Sequence, residues 1–155
     1  MNLFAPVSSL MTDYKHLVIV HPEESLLKIK EIFDTHRFHH IPVVRTREVV
    51  GIISKSDFEH FMGGGSACEE DRFLNEARLQ RTTAQDIMTK KLGKVESDDR
   101  LNIAVDIFTL NRFHALPVVD NGELVGIITP YDILKALAVE KVADPSMVYE
   151  NSVSQ

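Results

Sequence analysis

The sequence contains no tryptophan and a single cysteine, Cys68, in 155 residues. One cysteine excludes an internal disulfide and any metal site built from several thiolates, and it is typical of a reducing compartment. No apolar run reaches the roughly 20 residues of a membrane helix. The first residues lack the basic and apolar segments of a secretion signal. We therefore expect a cytoplasmic protein that does not enter the membrane.

Positive charge is also scarce, since the formal net charge is -6. Without a basic stripe to neutralise phosphates, the chain is a poor candidate for nucleic-acid binding. A strongly anionic ligand would need local positive charge instead. The 44% hydrophobic content is that of a soluble globular protein. The length fits one ordinary domain, or two small half-domains that share a core.

The dominant positive feature is an internal repeat. The stretch Gly-Ile-Ile-Ser-Lys-Ser-Asp at 51–57 recurs as Gly-Ile-Ile-Thr-Pro-Tyr-Asp at 126–132. Residues 32–57 and 107–132 align without gaps and share 14 of 26 positions, a density that chance does not produce at one fixed offset. Upstream, Leu-Met-Thr at 10–12 pairs with Ile-Met-Thr at 87–89, but at an offset of 77 instead of 75.

Each half has the same order of local signals, which predicts a β-α-β-β-α unit. A short strand at 17–20 or around 94–95 is followed by a half-buried helix, which Ser25 caps in the first half and residues 97–99 cap in the second. Strands at 41–44 and 116–119 then form hairpins with 49–53 and 124–128, and a final helix begins at Asp57 or Asp132. Neither half has a secure core alone, so the fold class is α+β, with two units packed against each other.

A joint and a helix connect the halves. Residues 63–66 read Gly-Gly-Gly-Ser, which is typical of a flexible linker and matches no phosphate-loop fingerprint. The helix expected at 69–81 has Phe73, Leu74 and Ala77 as its contact side. The tail after residue 142 carries no clear structural signal.

Two such units resemble a pair of CBS domains, also called a Bateman module. The resemblance rests on Met-Thr at the start of each unit, His-x-hydrophobic-Pro-Val-Val in the middle, and Gly-hydrophobic-hydrophobic-Ser/Thr-x-x-Asp at the end. It spans about residues 7–140 and implies a first repeat at 7–62, a joint and helix at 63–83, a second repeat at 84–140 and a tail at 141–155. It further implies pseudo-two-fold packing, two clefts between the repeats that bind adenosine compounds, a stand-alone module and a homodimer.

The end motif has two interpretations. As a ligand site, Asp57 or Asp132 would accept hydrogen bonds from a ribose diol, while Ser54 or Thr129 would contact sugar or phosphate. As a purely structural element, each Ser/Thr-x-x-Asp is a capping box at the start of a helix. The resemblance favours ligand contact, with capping as an additional role.

The histidines also admit alternatives. His39 and His114 precede the Pro-Val-Val strands, where the resemblance implies phosphate contacts, and His40 matches a basic position that is Ala115 in the second repeat. The alternative is that they are structural histidines at element ends. A metal site of His36, His39 and His40 is disfavoured because no carboxylate or cysteine lies at ligand spacing.

The resemblance then assigns two unequal clefts. The first contains Ile52, Ser54, Ser56, Asp57 and His40 with Lys91, Leu92, Phe113 and His114 from the second repeat. The second contains Asp13, Val18, Phe38, His39, His114, Ile127, Thr129 and Asp132. Nearby lysines make the first cleft better suited to a di- or triphosphate.

The sequence therefore predicts a regulatory module that binds AMP, ADP or ATP, with Mg²⁺ as an optional companion and no required cofactor. Its partner would be an unidentified regulated protein. Alternatives are a structural interaction module with vestigial clefts, or binding of S-adenosylmethionine or NAD. Catalysis is not expected, because the chain carries none of the usual catalytic motifs.

Overall fold

The computed structural model of the protein describes residues 1–63 and 69–142, without the side chains of 69–73 and 140–142. Its strands are β1 (Thr12–Asp13), β2 (His40–Arg45), β3 (Glu48–Ser54), β4 (Leu116–Asp120) and β5 (Glu123–Ile128). Its α-helices are α1 (Leu26–Thr35), α2 (Lys55–Phe61), α3 (Glu69–Arg81), α4 (Ala84–Ile87), α5 (Leu101–Thr109) and α6 (Pro130–Val142). Short 3-10 turns cover Val7–Ser9 and Tyr14–His16. The mixed α and β architecture with two repeats is confirmed.

Two antiparallel hairpins, β2–β3 and β4–β5, form the centre of the two repeats. In each hairpin the register shifts at the same place, between Val43 and Val44 in the first and between Val118 and Val119 in the second. The second turn has positive φ at Asn121 and Gly122, as the Asn-Gly signal predicts. In the first turn the positive φ of 59° falls on Thr46, a β-branched residue that disfavours this conformation.

The strand expected at the start of each repeat is reduced to a single bridge. Val20 pairs in parallel with Val43, and Val95 pairs with Val118. Val20 donates to the carbonyl of Pro42, and Val95 donates to that of Pro117. The next rung would need an N–H from these prolines, which have none, so the parallel ladder stops.

The segment that precedes each repeat crosses to the other one. Thr12 and Asp13 pair with Ile127 and Gly126 of β5. In the same way Thr89 pairs with Ile52 of β3 through two backbone hydrogen bonds of 2.8 and 3.0 Å. We call residues 5–13 and 82–89 the crossing segments. They make the two repeats depend on each other.

The crossing segments also complete the cores. Val7 is fully buried in the core of the second repeat, with Leu101, Leu116 and Ile128. Ala84 is fully buried in the core of the first repeat, and Leu79 from the end of α3 joins it there. A third apolar cluster, formed by Val44, Val49 and Leu124, joins the two hairpins.

Helix α3 has the predicted bounds, but the predicted contact side is wrong for the side chains that are described. Leu74 is 70% exposed and Ala77 is exposed, whereas Leu79 is 4% exposed. The helix contacts the first repeat through its last turns, where Leu79 is buried and the Arg78 guanidinium lies 4.1 Å from the Phe61 ring. The Phe73 side chain, residues 64–68 with Cys68, and residues 143–155 lie outside the described part.

Three helix starts also differ from expectation. Helices α2 and α6 begin at Lys55 and Pro130, two residues before the predicted aspartates, because Ser54 and Thr129 already stand at the caps. Helix α5 follows Arg100 without a side-chain cap, since the Asp99 carboxylate accepts from the Glu96 N–H instead.

No helix within residues 1–63 and 69–142 combines the length and the apolar character that a membrane span requires.

Candidate functional site

One face of the first hairpin meets the second repeat. His40 of β2 pairs directly with Ser54 of β3, so both side chains lie on the same face, and Ile52 shares that face two residues earlier. Ile52 is buried together with Ala115 and Ile127 of the second repeat. His40 and Ser54 are therefore carried to the boundary between the repeats, beside the residues that precede β4.

Ser54 caps helix α2 in a way that leaves polar capacity unused. Its hydroxyl oxygen accepts from the Asp57 N–H at 2.9 Å, and the Asp57 carboxylate accepts from the Ser54 N–H at 3.3 Å. This reciprocal pair confirms the predicted capping box. The Ser54 hydroxyl hydrogen has no acceptor among the described residues, and the second Asp57 carboxylate oxygen has no donor there. Both groups remain able to bind a ligand.

His40 lies at this boundary in surroundings that disfavour its protonated form. Burial lowers the pKa of His40 below its usual value, and the neighbouring His39 and His114 lower it further, while Asp57 acts in the opposite direction. The interactions with Asp57 and His114 bring together three side chains that the sequence assigned to the first cleft. His39 is tied to the same corner, because its carbonyl accepts from the Lys55 N–H at 2.8 Å.

The remaining residues of the first set have different positions. Leu92 packs against the cluster that contains Ile52, so it reaches the boundary. Phe113 packs against the core of its own repeat. Lys91 and Ser56 are exposed and have no side-chain partner in the described part of the chain.

Thr129 and Asp132 form a more closed arrangement at the start of α6. One Asp132 carboxylate oxygen accepts from the Thr129 N–H at 2.8 Å and from the Thr129 hydroxyl at 2.7 Å. The hydroxyl hydrogen is therefore already used, unlike that of Ser54. Both side chains are half-buried.

The other residues of the second set are partly committed elsewhere. Ile127 is buried at the boundary and pairs with Thr12, while Asp13 pairs with Gly126 and lies 4.0 Å from the Lys15 ammonium. Phe38 stacks on His36 at 5.0 Å and packs on the first core. Val18 is half-buried and His39 is exposed.

A third Ser/Thr-x-x-Asp cap lies outside both proposed clefts and shows the structural role of the motif by itself. At the start of α4, the Asp86 carboxylate accepts from the Thr83 N–H at 2.8 Å and from the Thr83 hydroxyl at 2.9 Å. These two hydrogen bonds lower the pKa of Asp86. The geometry matches that of Thr129 and Asp132, so capping accounts for the second pair by itself.

Sequence reasoning missed Leu17 in the apolar cluster at the boundary, and it missed the two methionines that pack on the cores of the repeats. Leu17 packs with Leu92 against Ile52, Ala115 and Ile127. Met88 lies over Gly51, and Met11 lies over Gly126. The repeated Met-Thr pair is the sequence signal of these two contacts between the repeats.

No group of three histidine, cysteine, aspartate or glutamate side chains is arranged to hold a metal ion within residues 1–63 and 69–142.

Comparison with known families decides the classification. The family model of the CBS domain matches residues 7–64 and again residues 84–139. The chain belongs to the CBS-domain family. The two matched segments are the two repeats, so the protein contains a CBS pair.

Curated relatives of this CBS pair include proteins of very different length. An uncharacterized protein of Methanocaldococcus jannaschii, MJ1225, is 29% identical over 134 residues, which are 84% of this chain and 48% of the relative. A second one, MJ1426, is 24% identical and matches over 88% of this chain and 95% of its own length. The inosine-5'-monophosphate dehydrogenase of Thermoplasma acidophilum is 28% identical over 74% of this chain. The pair thus spans about half of MJ1225 and 20% of that enzyme.

Solved structures have the same fold. CBSX2, a CBS-pair protein of Arabidopsis thaliana, superposes in its AMP complex with a TM-score of 0.72 at 24% identity, over 88% of this chain and 98% of that one. The CBS domain of a bacterial CNNM/CorC family Mg²⁺ transporter, in complex with ATP, gives 0.70 at 23% identity, over 86% and 87%. The CBS pair of MJ0100, in complex with 5'-methylthioadenosine and S-adenosylmethionine, gives 0.68 at 22% identity, over 88% and 98%.

Proposed function

We propose that this CBS pair is a regulatory module that binds an adenine nucleotide, AMP, ADP or ATP, between its two repeats. The observation that carries the proposal is the unused hydrogen-bonding capacity of Ser54 and Asp57 beside His40 and His114. A carboxylate with a free oxygen suits a ribose diol, and imidazoles with a hydroxyl donor suit phosphates. Structures of similar fold were determined with AMP, ATP and S-adenosylmethionine, which supports an adenosine compound.

Each residue of the first cleft has a proposed role. Asp57 accepts from the ribose hydroxyls, and Ile52 and Leu92 pack on the adenine ring. The phosphates are contacted by the donors of the cleft: Ser54, Ser56, His40, His114 and Lys91. Phe113 closes the cleft from the second repeat. Mg²⁺ accompanies the nucleotide only where its phosphates coordinate the ion themselves.

The second cleft is proposed to bind more weakly. Its Thr129 hydroxyl is already donated to Asp132, and Ala115 replaces the imidazole of His40. Residues 13, 18, 38, 39, 114 and 127 surround it. A ligand with fewer charges fits there better than a triphosphate.

Regulation requires that the ligand favours one arrangement of the repeats over another. The crossing segments would transmit the change from the clefts. Segment 5–13 is hydrogen-bonded to β5, which leads to Thr129, and segment 82–89 is hydrogen-bonded to β3, which leads to Ser54. A regulated protein partner in the cytoplasm would respond to that change. The protein would have no catalytic role of its own.

A homodimer is also proposed, with helix α6 at its interface. Tyr131, Leu134 and Val139 are 70%, 62% and 67% exposed, whereas Ile133 is buried at 8%. Such an apolar outer surface on one helix is typical of an association site.

Thermal unfolding in the presence of AMP, ADP, ATP, S-adenosylmethionine and NAD, with and without Mg²⁺, tests the proposal. A ligand at 100 times its dissociation constant stabilises the folded state by about 2.7 kcal/mol. A shift with AMP, ADP or ATP supports the nucleotide module. A shift only with S-adenosylmethionine, as in the MJ0100 complex, would change the ligand. No shift with any adenosine compound would favour an interaction module with vestigial clefts.

A further inference from the structure

Three imidazoles and one carboxylate converge on the first cleft. His40 is half-buried at the start of β2, with His39 next to it in the chain, His114 across the boundary and Asp57 on helix α2. The pairing of His40 with Ser54 and the packing of Ala115 on Ile52 place this cluster at the boundary. The second cleft has no matching cluster, because Ala115 replaces His40.

Without a ligand, the groups around His40 oppose its protonation more than they favour it. His39 and His114 oppose a proton on His40, Asp57 favours it, and burial of the ring adds to the opposition. The adjacent elements also carry Lys55 at the start of α2 and Lys90 and Lys91 after α4, and their charges have the same sign as a protonated imidazole. Burial and the neighbouring imidazoles therefore lower the pKa of His40 and favour its neutral form.

A bound phosphate group would favour protonation of the imidazoles instead. Two negative charges beside three imidazoles favour the protonated form of at least one of them, and a protonated imidazole both adds charge and donates through both ring nitrogens. The proton comes from solvent and goes to a ring nitrogen of the cluster. A ligand with more phosphate charge near the cluster gains more from this step.

We propose that His40 makes the first cleft selective for the more highly charged adenine nucleotides, because binding there takes up a proton on the cluster of His39, His40 and His114. This inference rests on the proposed function. It adds that the module reads proton concentration together with nucleotide, and that the second cleft does not. Affinity at the first cleft falls as pH rises, by at most about tenfold per pH unit for each proton taken up.

Calorimetric titration of ATP and of AMP tests the proposal with wild-type protein and His40→Gln. Each titration is run between pH 6.5 and 8 in two buffers of different ionisation enthalpy, because the difference in heat measures the protons taken up. The protonation state of the free nucleotide is common to both proteins and cancels in their difference. We expect wild type to take up more protons than His40→Gln with ATP, by a smaller margin with AMP, and to show the steeper fall of affinity with pH.

Two further measurements separate the possible failures. Urea unfolding of His40→Gln checks that the variant is folded, and Ala115→His adds an imidazole at the equivalent position, where we expect proton uptake to increase. Equal proton uptake by wild type and folded His40→Gln, with nucleotide bound to both, overturns the inference alone. Absence of binding by any adenosine compound at every pH overturns the proposed function and the inference with it.

Discussion

Met88 lies directly on Gly51: a Cβ atom at that glycine would stand 2.5 Å from the Met88 sulfur. Met88 belongs to the crossing segment of the second repeat, and Gly51 belongs to strand β3 of the first. Met11 has the same relationship to Gly126, at 2.7 Å. The repeated Met-Thr and Gly-Ile-Ile motifs are therefore two sides of one contact, made twice.

Adding a methyl group at either glycine should destabilise the protein, and Gly126→Ala should cost more than Gly51→Ala. At Gly126 the new Cβ would also stand 2.8 Å from the Thr12 carbonyl oxygen, which is backbone, whereas at Gly51 the near atoms belong to the Met88 side chain. Overpacking of this kind costs about 1–3 kcal/mol. Urea unfolding of both variants measures the order.

Met88→Ala provides the control for that contact. Combined with Gly51→Ala, it should recover part of the lost stability, so the two changes will be non-additive. Strict additivity would mean that Met88 does not limit the space at Gly51.

Thr46→Asn should stabilise the protein by about 1 kcal/mol. Thr46 has a φ of 59°, a conformation that Asn tolerates far better than a β-branched residue, and the equivalent turn position of the second hairpin is Asn121. The free energy of unfolding in urea measures the gain. Asn121→Thr is the matched reverse change and should lose a similar amount; a loss at both positions would contradict the strain at Thr46.

Asp57→Asn should weaken ATP binding by about tenfold or more, because a hydrogen bond to a charged group contributes about 1.5–3 kcal/mol. The amide oxygen of asparagine can still accept from the Ser54 N–H, so the helix start is retained. Asp132→Asn should have a smaller effect, given the weaker second cleft. Calorimetric titration of ATP measures both.

Asp86→Asn is the matched control for this pair. It changes a cap of the same geometry as that of Asp132, but at helix α4 and outside both proposed clefts. We expect unchanged ATP affinity. Equal losses at positions 57, 86 and 132 would attribute the effect to capping and not to ligand contact.

The ligand-free protein should lose stability as pH falls below about 6.5, the ordinary pKa of histidine. The pKa of His40 is lower when folded, so the unfolded chain binds the proton more readily and the free energy of unfolding decreases with decreasing pH. Above that range the stability is fully present. Urea unfolding between pH 5 and 7.5 should show a smaller decrease in His40→Gln, and His60→Gln, at an exposed histidine on α2, is the comparison.

Leu134→Glu should convert the proposed homodimer to monomer, because it introduces a charge into the exposed apolar surface of α6. Sedimentation velocity gives the mass in solution. Leu110→Glu, at a leucine that is 65% exposed near the end of α5, should leave the mass unchanged. A wild-type monomer, or equal behaviour of the two variants, would contradict this role for α6.

The sequence predicted the elements better than it predicted their connections. Short apolar runs, the Asn-Gly pair and the helical spacing of apolar residues were sufficient to predict both hairpins and helix α1, since these signals are local. The first strand of each repeat was predicted to be longer than it is. The cause lies on the neighbouring strand, where Pro42 and Pro117 have no N–H to donate to it. Which side of α3 is buried depends on where the chain rejoins the first core at Leu79, and no local pattern encodes that.

For the candidate site, too, local features were predictable from the sequence and hydrogen-bonding details were not. The repeated motif identified Ser54, Asp57, Thr129 and Asp132 as equivalent, and their capping was predicted. Unequal clefts were predicted from the nearby lysines and Ala115, but the difference between the two caps was not. Ser and Thr are alike in sequence, whereas the Ser54 hydroxyl accepts a hydrogen bond and the Thr129 hydroxyl donates one.

The exchange of crossing segments also bears on how such a chain arises by gene duplication. A single repeat would have a strand glycine without a methionine packed on it, and a Met-Thr segment without a glycine to pack on. Two single repeats would form both contacts if each placed its Met-Thr segment on the other. Joining those copies end to end preserves every traded contact. A chain duplicated in this way would keep the interface of the two-copy assembly and would need no new one.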